Sequence, residues 1–133
     1  MQKILLCDSD TALLKIMQVY LSWYGFEVTG LESSGLAAEQ LLISTYDLFV
    51  CDHLSKPVNA YFLCEKIRCS DKPQLRNLKI LMTACGNVEL EDYKFLRRMN
   101  IHFMSKLQSP EKWFEKISSI LIVDTKNIVP VTV

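Results

Sequence analysis

"YDLFVCD" runs from Tyr46 to Asp52. After Asp47 come four apolar residues in a row, Leu48 to Cys51, and then a carboxylate, Asp52. The run is too short for a helix and does not alternate, so it reads as a strand covered on both faces. Such strands belong to parallel sheets flanked by helices. In open sheets of that kind, ligands gather at the carboxyl ends of the strands. Asp52 therefore stands at the edge where chemistry is expected.

The rest of the chain repeats the pattern outward in both directions. "KILLC" (Lys3–Cys7) is another short apolar run, and it ends in Asp8, Ser9 and Asp10. "FEVTG" (Phe26–Gly30) alternates, as a strand toward the sheet edge does. "LKILMTA" (Leu78–Ala84) ends with the hydroxyl of Thr83, and "IHFMSK" (Ile101–Lys106) ends in a lysine. Helical spacing fills the gaps. Thr11–Tyr24 presents Leu13, Leu14, Met17, Tyr20, Leu21 and Tyr24 inward and stops at Gly25. Ser34–Ser44 presents Leu36, Leu41 and Leu42. Ala60–Cys69 carries Phe62, Leu63, Lys66 and Ile67, and Glu89–Met99 presents Leu90, Tyr93, Leu96 and Met99. Ser109 followed by Pro110 is a helix start, and this last helix is expected to run to about Leu121. "SDKPQLRN" (Ser70–Asn77) reads as a polar loop.

Strand–helix five times over predicts one α/β domain over residues 1–123, with a tail at 124–133. The composition agrees. The chain has 133 residues, half of them hydrophobic, and equal numbers of acidic and basic residues. No basic run is present, which argues against nucleic acid or an anionic membrane as the main partner. No apolar stretch approaches a membrane span, and the N-terminal apolar run is too short for a secretory signal. Five cysteines, none in a C-x-x-C pair, suggest neither a disulfide framework nor a zinc site, and a cytoplasmic, reducing home is expected.

If the strand order is 2-1-3-4-5, Asp8, Asp52, Thr83 and Lys106 lie side by side. Two carboxylates attract a divalent cation, while a hydroxyl and an ammonium bind an anion. Together they suit a phosphoryl group held on a carboxylate. At this point the ordered set "KILLCDSD", "YDLFVCD", "LKILMTA" and "FMSK" resembles the receiver domain of bacterial response regulators, from Lys3 to about Leu121.

The resemblance implies a five-stranded parallel sheet of order 2-1-3-4-5 with helices on both faces, the flavodoxin-like receiver fold. It implies that Asp52 takes a phosphoryl group from a histidine kinase or phosphotransfer protein. Thr83 and Lys106 would contact the phosphoryl oxygens, and Asp8, Asp52 and the backbone carbonyl of Leu54 would hold Mg²⁺. Phe103 falls at the position of an aromatic switch. A downstream protein or a second copy would dock on the face between the fourth and fifth helices. The chain is then a signalling switch rather than an enzyme. Leu54 and Cys85 fall where the family tunes loss of the phosphoryl group, and neither readily orients water, so slow self-dephosphorylation is expected.

Three departures stand out. Ser9 replaces the second of two adjacent acids. "HLSKPVNA" (His53–Ala60) places Pro57 one residue late and lacks the family's Asp-Gly pair. Leu107 follows Lys106 where proline is usual. Losing one carboxylate weakens Mg²⁺ by roughly one to three kcal/mol, a factor of about ten to a hundred. Ser9 itself or Asp10 is a candidate substitute ligand, though Asp10 also stands where the first helix needs a cap. A second reading is therefore a pseudo-receiver, binding a protein partner without phosphorylation. A third is a flavodoxin-like redox protein using Cys7 and Cys51. The absence of a Gly-rich phosphate loop counts against it, and both cysteines are expected to be buried as small hydrophobes, level with Met82 on the next strand.

Overall fold

The computed structural model describes residues 1–124, with side chains through Leu121. Its strands are β1 (Lys3–Cys7), β2 (Glu27–Leu31), β3 (Leu48–Asp52), β4 (Lys79–Ala84) and β5 (His102–Ser105). Its main helices are α1 (Thr11–Trp23), α2 (Ser34–Ile43), α3 (Ala60–Arg68), α4 (Leu90–Arg98) and α5 (Pro110–Asp124). All strand pairs are parallel, and the order is β2-β1-β3-β4-β5, as expected. The tail assigned from residue 124 onward lies outside the described residues, except for Asp124, which is the last residue of α5.

Period-two geometry divides the strand residues between two cores. Leu5, Cys7, Phe49, Cys51, Ile80 and Met82 point toward α2, α3 and α4, meeting Ala37, Leu41, Leu63, Cys64, Ile67 and Leu96. Ile4, Leu6, Leu48, Val50, Leu81 and Met104 point the other way, toward Leu14, Met17 and Leu21 of α1 and Trp113, Ile117, Ile120 and Leu121 of α5. β1, β3 and β4 are buried on both faces, which is why their sequences read as unbroken apolar runs.

The helix faces need correcting in several places. In α2 the side chain that meets the sheet is Ala37, together with Leu41, while Leu36 and Leu42 are exposed. "SGLAAEQLLI" is apolar on most sides, so its period does not choose a face; the small Ala37 does, by letting the helix approach closely. In α4 only Leu96 is buried. Leu90 and Tyr93 are exposed, and Met99 is the half-buried C-cap. Tyr24 is likewise an exposed C-cap of α1 rather than a core residue. Gly25, at φ 91°, ends that helix as expected. "SDKPQLRN" is not wholly loop: Pro73–Arg76 forms one helical turn, with proline in its first turn.

Candidate functional site

Register brings the four strand ends together. Cys7 of β1 is level with Cys51 of β3, so Asp8 and Asp52 leave the sheet side by side. Asp52 is opposite Thr83, and Thr83 is opposite Met104, two residues before Lys106. Asp8 and Thr83 are each 1% exposed and Asp52 is 4% exposed. Two carboxylates this deep need a counter-charge. The ammonium of Lys106 supplies it, with Nζ 3.0 Å from Asp8 Oδ2 and 3.2 Å from Asp52 Oδ1. Burial lowers the Lys106 pKa, but the hydrogen bond to Asp8 and the charges of Asp52 and Asp8 outweigh it, so the net shift is upward.

Backbone bonds fix each group. Lys106 N–H donates to the Ala84 carbonyl (2.7 Å), and the Trp113 indole N–H donates to the Lys106 carbonyl (3.3 Å). Asp8 Oδ1 accepts the Asp10 N–H at 2.9 Å, and Asp52 Oδ2 accepts the Leu54 N–H at 3.3 Å. His53 donates its N–H to the Thr83 carbonyl at 2.8 Å, tying β3 to β4 just beyond the acid.

Ser9 and Asp10 are both exposed. Asp10 Oδ1 accepts the N–H groups of Ala12 and Leu13, both at 3.1 Å, so Asp10 caps α1. Among the described residues no group of three or more His, Cys, Asp or Glu side chains is arranged to hold a metal. Asp8 and Asp52 are the acids that face one another, and Lys106 already bridges them. The donor set suits a weakly held divalent ion that must share the carboxylates with an ammonium.

The altered loop after Asp52 is well tied. Ser55, a buried residue that sequence reasoning passed over, donates its hydroxyl to the Asp52 carbonyl at 2.7 Å. The same hydroxyl accepts the thiols of Cys7 (3.7 Å) and Cys51 (3.6 Å). A serine three residues past a strand-end acid was the available signal. The hydroxyl of Ser34, at the start of α2, donates to the Val58 carbonyl (2.6 Å) and accepts the Val58 N–H (2.8 Å). Lys56–Pro57 is a cis peptide, the one such bond among the described residues. Asn59 then caps α3 through the N–H groups of Tyr61 and Phe62.

Cys7 and Cys51 lie in a row with Met82, as expected. Both are buried free thiols. The hydrogen bond with Cys7, with burial added, pushes the Cys51 thiol well above its ordinary value, while that same bond lowers Cys7 against an opposing effect of burial. Cys85 is exposed beyond Thr83, and the Leu54 side chain is exposed as well. Phe103 is half-buried opposite Met82, and it packs with the core under α2, α3 and α4. Trp113 faces inward; Phe114, half-buried, stacks on Tyr24 with ring centroids 4.3 Å apart.

No protein-family model matches the chain. Over 125 residues it is 28% identical to "Probable transcriptional regulator ycf29" of Porphyra purpurea, a match covering 93% of this chain and 58% of that protein. The chain thus spans well under two thirds of that relative. Solved structures match more fully. A response regulator receiver domain protein (CheY-like) from Methanospirillum hungatei superposes with a TM-score of 0.84 at 25% identity, covering 96% of this chain and 98% of the other. The chemotaxis response regulator CheY4 of Vibrio cholerae gives 0.81 at 16% identity, covering 90% and 98%. A two-component response regulator from Clostridium difficile gives 0.79 at 20% identity, covering 92% and 97%. The chain has the fold of CheY-like response regulator receiver domains.

Proposed function

We propose that this chain, having the receiver fold, is a phosphorylation-dependent signalling switch. The observation that carries the proposal is the buried constellation at one sheet edge. Lys106 bridges Asp8 and Asp52, and Thr83 stands beside Asp52 in register. In the proposed step a carboxylate oxygen of Asp52 attacks the phosphorus of a phosphohistidine on a histidine kinase or phosphotransfer protein. The O–P bond forms as the N–P bond breaks, and the imidazole leaves with the electron pair. Lys106 then turns from its carboxylates to the phosphoryl oxygens, with the Thr83 hydroxyl as hydrogen-bond donor. Mg²⁺, held by Asp8, Asp52 and the Leu54 carbonyl, would supply further neutralisation of the phosphoryl charge.

The switch would act through the groups nearest the new charge. Withdrawal of Lys106 and Thr83 toward the phosphoryl group would move the start of the β4–α4 loop, and Phe103 would follow from its half-buried seat. That would alter the face between α4 and α5 and favour a downstream protein or a second copy there. The chain is read as a switch rather than an enzyme, working in the cytoplasm. No helix among the described residues is long and apolar enough to cross a membrane.

The test is incubation with a small acyl phosphate and Mg²⁺, followed by mass spectrometry. One phosphoryl mass on Asp52, absent in Asp52→Ala, is the expected result. No adduct even at high Mg²⁺ would favour the pseudo-receiver reading, for which the single-acid corner at Ser9 is the motive. Because exposed Leu54 and Cys85 offer no charged group to orient water, the adduct should decay slowly. A half-life of seconds would contradict that assignment.

A further inference from the structure

The turn that leaves β3 carries one buried hydroxyl whose bonding capacity is all in use at the site. Ser55 is 5% exposed. Its hydroxyl donates to the Asp52 carbonyl at 2.7 Å, and its N–H donates to the same oxygen at 3.1 Å. The thiols of Cys7 and Cys51 lie against the hydroxyl oxygen, at 3.7 and 3.6 Å. One donated and two accepted bonds are all that a serine hydroxyl can make. Each of these contacts ends at or beside a site acid. Cys7 precedes Asp8 at the end of β1, and Cys51 precedes Asp52 at the end of β3. The hydroxyl therefore joins the two strands whose acids share Lys106.

The same bonds set one peptide group. The peptide between Leu54 and Ser55 is trans, and its N–H is held on the Asp52 carbonyl, so the Leu54 carbonyl points the opposite way. That carbonyl accepts no hydrogen bond among the described residues. The Leu54 N–H, one peptide earlier, donates to Asp52 Oδ2 at 3.3 Å. A free backbone oxygen close to a carboxylate suits a hard divalent cation, and it binds best when its plane is already fixed. We propose that Ser55 is a positioning residue for Mg²⁺. By tying the ends of β1 and β3 to the Leu54–Ser55 peptide, its hydroxyl holds Asp8, Asp52 and the Leu54 carbonyl as one preformed ligand set. This role rests on the metal site of the proposed switch and deepens it. With Ser9 in place of an acid the ligands are few, so affinity depends on how little they must move to bind.

The test is Mg²⁺ binding by the unphosphorylated chain, read as the rise of the urea midpoint with Mg²⁺ at constant ionic strength in reducing buffer. Ser55→Ala should raise the Mg²⁺ dissociation constant about tenfold or more. Ser55→Thr, which keeps the hydroxyl, should stay near the unaltered chain. Arg68→Lys, at the far end of α3, should lower the midpoint at every Mg²⁺ concentration and leave the dissociation constant unchanged. A serine with a purely structural role would behave as Arg68→Lys does. Ser55→Ala that binds Mg²⁺ as tightly as the unaltered chain would overturn the proposal. So would Ser55→Thr as weak as Ser55→Ala, or an unaltered chain that gains no stability from Mg²⁺ at about 50 mM. No phosphodonor is present, so a chain that binds Mg²⁺ through Ser55 yet takes no phosphoryl group would overturn the switch and leave the role of Ser55 standing.

Discussion

Ser9 leaves Asp8 and Asp52 facing Lys106 without a third acid. Ser9→Asp is expected to lower the Mg²⁺ concentration needed for half-maximal phosphorylation by about ten- to a hundredfold. An unchanged requirement would show that Ser9 is not what weakens the site. Lys106→Met tests the other side of the balance. It strands two buried carboxylates against each other, and it should cost about 3 kcal/mol in urea unfolding at neutral pH. Millimolar Mg²⁺ should restore part of the loss. Tyr61 poses a smaller case. Its hydroxyl is buried without a hydrogen-bond partner among the described residues, and its ring sits edge-on to Phe95, with centroids 5.7 Å apart. Tyr61→Phe removes an unsatisfied group and should be neutral or stabilising by up to about 1 kcal/mol. A clear loss of stability would mean that the hydroxyl has a partner in solution.

At the scale of elements, the strands were legible and the helix faces were less so. β1, β3 and β4 are short apolar runs with a polar end, and burial on both faces leaves that pattern little freedom. Helices that pack one stripe while exposing other apolar residues give no such signal, and α2 and α4 therefore oriented differently from their periodicity. Nor did the sequence reveal how the lower ends of α3 and α4 are joined. The Arg68 guanidinium donates to the carbonyls of Met99 (2.8 Å), Leu78 (2.6 Å), Arg76 (3.2 Å) and Asn100 (3.1 Å). A lone arginine at a helix end has many possible uses; only the fold brings four carbonyls to one fork. Lysine cannot reproduce that planar geometry, so Arg68→Lys should cost about 1 to 3 kcal/mol by chemical denaturation. Asn100, at φ 56°, sits just beyond α4, where the chain turns so that the Ile101 N–H reaches the Leu96 carbonyl at 2.8 Å. Asn100→Gly should be tolerated, whereas Asn100→Val should destabilise by about 1 to 2 kcal/mol.

Across the whole molecule, the parallel sheet and the four strand-end groups could be read because alternation along the chain fixes them, whereas the strand order followed from the resemblance to receiver domains. The pins that hold the site were harder to read: Ser34 meets Val58 and Ser55 meets Cys7 across 24 and 48 residues, while the bonds of Ser55 to Asp52 and of the Trp113 indole to Lys106 are local but depend on how the loops turn. The same burial that builds the site sets how stability responds to pH. Burial pushes the Cys64 thiol up to about 12, and the hydrogen bond that Cys51 donates to Cys7, together with burial, raises Cys51. Burial, with the charges of Asp92 and Asp52, pushes the Tyr61 phenol up to about 12. An unfolded thiol loses its proton near pH 8.5 and an unfolded tyrosine near pH 10, while these folded groups keep theirs. Above those values the unfolded state binds fewer protons, so stability must fall as pH rises. Cys7, lowered by its bond to Cys51, opposes part of the thiol effect. Lys106 acts in the same alkaline direction as the raised thiols. Its folded pKa lies above the unfolded value, so its stabilisation is complete below about pH 10 and disappears as pH climbs through the raised value. Urea midpoints measured in reducing buffer should therefore begin to decline above about pH 8.5 and steepen near pH 10. Cys64→Ala should flatten the first part of that decline and leave the second. An unaltered profile in Cys64→Ala would mean that its buried thiol does not govern the alkaline limb.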